Sequence, residues 1–311
     1  MPGLIGRRGF MAGMSALGLS GTSVAGSQTM TSQWDKIVDQ TRLCQLASLK
    51  LNFTGDWRFY KPPHFKIKPP AEESRLVRVE QKIGRPLPKT LRHFFKECSS
   101  GIDTHWLLPG HMSDTGGLID VKYNLVPPKP FSDEKNEPLI NSGGVRIDLE
   151  EMADLWAARN DWITSFRQSA AEAEDEGTRA HYTVYANMME RGFPITTNGG
   201  GDIVAIDMES PGEELFISFH DGSDEPAWLF GQSLLDHLDQ QSRLNFLGFE
   251  IYILEIFANE QKSKAAFDRF NETYKDRQTV EKEGLAAISG CVIDWTTENG
   301  KAWRAWLGLT A

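Results

Sequence analysis

Several kinds of chemistry are missing from this sequence. Cysteine is scarce: the three residues Cys44, Cys98 and Cys291 stand far apart, with no CxxC pair. That excludes a disulfide framework and a zinc ribbon, and the thiols are expected to be buried and inert. Positive charge is in deficit, with 33 Lys and Arg against 43 Asp and Glu and a formal net charge of −10. A phosphate backbone needs clustered cations, so nucleic acid is not the expected partner, whereas a basic protein surface would be attracted at long range. The mildly apolar run from Ala12 to Ala25 is too short and too rich in glycine to span a membrane. Neither G-x-S-x-G nor H-E-x-x-H occurs, so the signatures of a serine-hydrolase elbow and of a zinc protease are absent. No internal repeat is visible. What is present is core material: 40% of the 311 residues are hydrophobic and 10% aromatic, which argues against wholesale disorder.

The N-terminal stretch reads as an address. Arg7-Arg8 precede Gly9-Phe10-Met11, a weakly apolar run and a small-residue end at Ser23-Val24-Ala25, with no acidic residue before Asp35. This resembles a twin-arginine export signal, although Gly6 stands where Ser or Thr is usual. A translation start at Met30 is the other reading, and both stay open: cytoplasmic, or periplasmic if the signal is real. In either case residues 1–29 are expected to lie outside the fold.

Beyond it, Trp34, Ile37, Val38, Cys44 and Leu46 suit a helix with one buried stripe. Pro62-Pro63 and Pro69-Pro70 mark an extended arm. A helix over 71–83 buries Leu76, Val79 and Ile83 and stops at Gly84, where a left-handed residue is needed. Pro86-Leu87-Pro88 makes a short turn, with Pro88 at the first position of a helix whose apolar face is Leu91, Phe94, Phe95 and Cys98. Gly101 follows its end. Residues 124–144 are rich in Pro, Asn, Ser and Gly and are expected to form a long surface loop. Asp148 and Glu151 have capping-box spacing ahead of a helix carrying Met152, Leu155, Trp156, Ile163 and Phe166. The acidic run Glu172 to Glu176 reads as a solvated face. Phe193-Pro194-Ile195 and Asn198-Gly199-Gly200-Gly201-Asp202 form a turn-rich lead into strands at Ile203–Ile206, Leu215–Phe219 and Trp228–Phe230, and then a helix with Leu234, Leu235 and Leu238. Residues 249–290 read as mainly helical, and the tryptophans at 295, 303 and 306 belong to a C-terminal extension with no assigned place. Without regular β–α alternation the fold class is α+β.

Each candidate for chemistry has a plainer alternative. Gly199, Gly200 and Gly201 could cradle a phosphate, but no Lys-Ser/Thr follows and Asp202 puts a negative charge there, so a tight turn needing positive φ is favoured, with Asp202 tying the loop, and Gly200→Val is expected to destabilise the fold if Gly200 is the residue with positive φ. His220-Asp221 could be part of a triad, but no nucleophile motif accompanies it, and a polar strand end is preferred. Asp202, Asp207 and Asp221 could hold a cation if gathered, though a solvated acidic rim is the simpler reading. The pairs His105/His111 and His111/Asp114 lack supporting ligands. Trp57, Phe59 and Tyr60, like Trp156 and Trp162, are assigned to packing. No catalytic, cofactor-binding or metal-binding residue is nominated, and no cofactor is expected.

Two segments carry a family resemblance. One is Val79-Glu80-Gln81-Lys82-Ile83-Gly84-Arg85-Pro86-Leu87-Pro88, with Leu91, Phe94, Phe95 and Gly101 after it. The other is Phe193-Pro194, Asn198 to Asp202, the strand to Asp207, and Phe219-His220-Asp221. In order and separation they resemble the SUKH superfamily, the Smi/Knr-type domain of polymorphic-toxin immunity proteins and fungal cell-wall assembly regulators. The chain departs from the pattern in Ser99-Ser100-Gly101 for the common Asn-Gly, in a long insert between the motifs, and in Gly231-Gln232-Ser233-Leu234 for the usual Ser-Phe pair. The resemblance implies a single SUKH-like domain, a mixed sheet flanked by helices, over 71–245. Before it lie the arm at 30–70, and after it a helical extension at 246–311. It also implies a non-enzymatic domain that binds a protein, most often a cognate toxin. The alternative is an exported, envelope-associated binding protein or hydrolase. Oligomeric state is not read from the sequence.

Overall fold

The structure, a computed structural model, describes residues 20–50, 64–108, 110–112, 121–123, 126–140, 142–198, 200–220, 227–273 and 289–309. Helix α1 (Ser20–Lys50) is followed by β1 (His64–Ile67), α2 (Glu73–Ile83), α3 (Lys89–Glu97), β2 (Gly101–Leu107), β3 (Gly110–Met112), β4 (Val121–Tyr123) and β5 (Ser142–Asp148). A helical hairpin, α4 (Met152–Glu172) and α5 (Glu176–Arg191), leads into β6 (Gly192–Thr197), β7 (Ile203–Asp207), β8 (Leu215–Ser218) and β9 (Ala227–Leu229). Helices α6 (Leu234–Arg243), α7 (Ile251–Leu254) and α8 (Glu260–Thr273), strand β10 (Ser289–Gly290) and helix α9 (Glu298–Trp306) complete the described chain.

The main sheet has the order β10-β9-β8-β7-β6, antiparallel except for the β10–β9 pair, which is parallel. The expected mixed sheet flanked by helices is therefore present. It is covered on both faces, which is why β7 reads as an unbroken apolar run instead of an alternation. Val204, Ile206, Leu215 and Ile217 face a core shared with α1, α2, α3 and α6, while Ile203, Ala205 and Phe216 face Tyr185, Met188 and Met189 of α5 and Phe270 of α8. A second sheet, β1-β2-β5, is antiparallel throughout. On β2 the period-2 signal holds, with Ile102, Thr104 and Trp106 buried between half-exposed Asp103 and His105.

Local chemistry explains the first helices. Gly84 ends α2 at φ 80° and donates its N–H to Glu80 O, the left-handed stop that the sequence pattern called for. Pro88 sits one position earlier than expected, at the cap of α3 instead of its first residue. The missing cap oxygen comes from far away: Glu213, in the β7–β8 turn, accepts Lys89 N–H at 2.9 Å and Thr90 N–H at 2.7 Å. A carboxylate there also complements the positive end of the helix.

One expectation needs correction. The stretch 124–144 is not simply a surface loop, because Phe131 and Ile140 are fully buried and β5 begins at Ser142. Phe131 stacks on Phe257 at 5.7 Å and meets Trp303 edge-on at 5.2 Å. The acidic run at 172–176 is solvated, but it is also a helix junction, with Asp175 Oδ1 accepting Thr178 N–H at 2.8 Å to start α5. The C-terminal tryptophans find their place as well. Trp303 is fully buried and donates Nε1–H to Leu244 O at 2.9 Å, so α9 closes the same core to which Trp34 contributes. The three cysteines are buried thiols outside any disulfide, and burial pushes both Cys98 and Cys291 up to about 12, so neither is a reactive thiolate.

Candidate protein interface

The Pro-Leu-Pro segment is a fastener. Glu80 Oε1 accepts Leu87 N–H at 3.2 Å and Arg92 Nε–H at 2.9 Å, which holds the Pro86–Pro88 turn between α2 and α3. Leu87 is buried beneath it and Pro86 is exposed. Gly101 opens β2, and the Ser99-Ser100 pair before it is fully buried. Ser99 Oγ donates to Lys68 O at 2.8 Å and Ser100 Oγ to Pro69 O at 2.7 Å. The departure from Asn-Gly is thus absorbed by hydroxyls that tie down the proline arm. Pro194 lies within β6, at the sheet edge, where its lack of an N–H removes no bond to β7.

The two aspartates of the second motif part company. Asp207, at the end of β7, is buried and receives Arg191 Nε–H at 2.8 Å in a two-pronged pair, and its Oδ1 also accepts Glu209 N–H at 3.0 Å. Asp202, before the other end of the strand, ties the glycine turn together. Asn198 Nδ2 donates to its Oδ2 at 2.8 Å, its own N–H reaches Asn198 Oδ1 at 2.8 Å, and His220 Nδ1 lies 2.7 Å from its Oδ1. The positive φ that the turn needs falls on Gly201, at 102°, so the condition set for Gly200 is not met. His220 meets Trp162 edge-on at 5.3 Å. Asp202 and Asp207 therefore do not gather, and among the described residues no three His, Cys, Asp or Glu side chains could hold a metal. Gly199, Asp221, Asp114, Trp57, Phe59, Tyr60, Arg7, Arg8 and the side chain of His111 lie outside the described residues.

Beside this turn runs a groove of about 480 Å³ that the quoted motifs touch only at Asn198. Its walls are β2 and the first half of β5, the end of β6 with Asn198, and residues 247–253. Two large apolar side chains on it face solvent, Tyr252 at 60% and Leu107 at 36% exposure. Asp103 and Glu250 also line it, as does His105, and Arg146 on its wall is paired with Glu151. Exposed aromatic and aliphatic anchors with an acidic rim are what a protein surface presents to a complementary partner. The only hint in the sequence was Gly143-Gly144, where a Cβ on Gly143 would come to 2.0 Å from Phe246 O.

A helix-covered mixed sheet whose motif residues fasten turns, with an open groove at its side, defines an α+β interaction scaffold. The sequence model of the SMI1/KNR4 family (SUKH-1) matches residues 70–239, more than half of the chain, so this chain belongs to that family. The domain type is generally non-catalytic, serving immunity or regulation through protein binding. No curated protein and no solved structure matches the chain.

Proposed function

We propose that this chain is an immunity protein that binds a polymorphic toxin and blocks it. Membership of the SUKH-1 family carries the proposal, since such immunity is one of the two roles associated with the domain type. The charge of −10 supports a basic partner, because long-range attraction speeds the encounter of an acidic inhibitor with a basic catalytic surface. The groove and the adjoining turn at Asn198–Asp202 are the surface nominated for contact.

Co-expression with the product of the neighbouring gene tests this. The neighbour should arrest growth alone and lose that effect when this chain is present, with the two recovered as one complex. A harmless neighbour that forms no complex at low salt would refute it. The twin-arginine-like start motivates a second reading, an exported protein acting in the envelope. N-terminal sequencing of fractionated protein separates the two: a mature start near Gly26 assigns it to the envelope, whereas a start at Met30 keeps it in the cytoplasm.

A further inference from the structure

Alternate residues of a strand share a face, so Asp103, His105 and Leu107 of β2 stand together where the β1-β2-β5 sheet borders the groove. The register sets His64 and Lys66 of β1 on one side of them, and Arg146, Gly144 and Ser142 of β5 on the other. The cross-strand pair His64 and His105 stacks, with ring centres 5.0 Å apart and planes 19° from parallel. Across the other ladder His105 is paired with Gly144, which has no side chain to set against the ring. Asp103 adds a carboxylate beside the stack: its Oδ2 lies 3.6 Å from His64 Nε2, and both side chains are half-exposed.

The opposite wall is held in place from within the fold. Gln241 uses both ends of its amide: Nε2 donates to Gly248 O at 2.8 Å, and Oε1 accepts Leu247 N–H at 2.9 Å. Trp106 Nε1–H reaches Phe246 O at 3.2 Å, which ties the same segment to β2. Gly248, at φ 81°, lies against β5, and a Cβ there would come to 3.6 Å from Gly144 O. The wall thus closes the strand edge at Gly144, and what the groove offers a partner is side chains. Tyr252 stands further along this wall with Glu250 near it: partial burial, and then the Glu250 carboxylate, raise the Tyr252 phenol above its ordinary value.

Two rings, His105 and Tyr252, and two carboxylates, Asp103 and Glu250, therefore border one groove, while Arg146 on its wall is engaged with Glu151. A planar cation complements that set. A guanidinium stacks on ring faces and presents N–H donors along its edge, whereas an ammonium is a compact and more strongly hydrated charge. We propose that the groove takes an arginine side chain of the partner protein, its guanidinium against the His105 and Tyr252 rings and its N–H groups on Asp103 and Glu250. The fixed wall lowers the ordering cost of that contact. The inference rests on the protein-binding reading above and adds which residue of the partner is read there.

The probe is N-acetyl-arginine amide, titrated at low salt into the ¹⁵N-labelled full chain, against the matching citrulline and leucine amides. Citrulline keeps the shape of arginine and lacks its charge. Arginine should shift the amides of His105, Gly144 and Tyr252 and bind about fivefold or more tightly than either analogue. Tyr252→Ala and Asp103→Asn change side chains that face solvent at least in part, so both should keep the melting temperature and each weaken arginine binding by about threefold or more. Glu174→Gln, at the exposed junction of α4 and α5, removes the same charge outside the groove and should leave binding unchanged. Unshifted amides, equal binding of the citrulline or leucine amide, or an equal loss in Glu174→Gln would overturn the proposal. The two proposals can fail separately. A neighbour-encoded toxin bound equally tightly by wild type and by the Tyr252→Ala, Asp103→Asn double variant removes the arginine site but not the immunity role. Arginine that binds in the groove when no toxin binds does the reverse.

Discussion

The two ends of β7 carry the same residue type to opposite purposes. Asp207 is sealed: its side chain is 7% exposed, its partner Arg191 2%, and the Arg191 guanidinium lies 4.9 Å from the Phe270 ring centre. Asp202 stands at the open end, with His220 37% exposed beside it, and its bonds shape a surface turn next to the groove. One aspartate holds the fold together and the other holds a surface in shape, although both belong to a single sequence motif.

That contrast can be broken by measurement, beginning with the largest effect. Asp207→Ala leaves Arg191 as a buried charge without its main partner and should cost about 3–5 kcal/mol in denaturant unfolding. A loss below ~1 kcal/mol would mean that the sealed end is not a stability element.

Histidine shows the same division. His237 is fully buried between Phe230 and Phe249, at ring distances of 4.8 and 5.4 Å, and burial pulls it from 6.5 down to about 3. Because the unfolded chain takes up this proton first, its contribution to stability is complete above pH 6.5 and declines as pH falls from 6.5 towards 3. Between pH 6.5 and 5 the loss should approach ~2 kcal/mol, and His237→Phe should flatten that slope. An unchanged slope in the variant would assign the acid sensitivity elsewhere.

At the open end the effects are smaller. Gly201→Ala forces an L side chain to φ 102° and should cost roughly 1–2 kcal/mol. Gly200→Ala should change stability by no more than about 0.5 kcal/mol, since a Cβ there meets nothing closer than Asn198 Oδ1 at 3.4 Å. Equal effects from both would show that the turn conformation is assigned wrongly. At the same end, Asp202→Asn removes the charge and one of the two acceptor oxygens that Asn198 and His220 use, so its cost should be about 1 kcal/mol, well below that of Asp207→Ala. If it matched Asp207→Ala, the distinction between the two ends would collapse.

Much of the scaffold is legible from local pattern. The runs at 203–206 and 215–218 are apolar because the sheet is covered on both faces, and Gly84 with Pro86-Leu87-Pro88 marks a helix stop and turn that local sterics alone dictate. Other parts depend on distant partners. The cap of α3 comes from Glu213, and Phe131 is drawn inside by Phe257 and Trp303, although its Pro- and Ser-rich neighbours suggest a solvated loop. Strand β2 did carry a local signal, the inward series Ile102, Thr104 and Trp106, but no strand is expected there when His105 is weighed only as a possible ligand. The groove is the least legible element, since it is built from strand edges and from residues 247–253, beyond the family motifs.

The most direct test of the central claim is a titration of the purified neighbour-encoded toxin with this chain, at low and at high salt. The account predicts stoichiometric loss of toxin activity, a stable complex, and association that slows as salt screens the acidic surface. Full toxin activity in the presence of excess chain at low salt would contradict it.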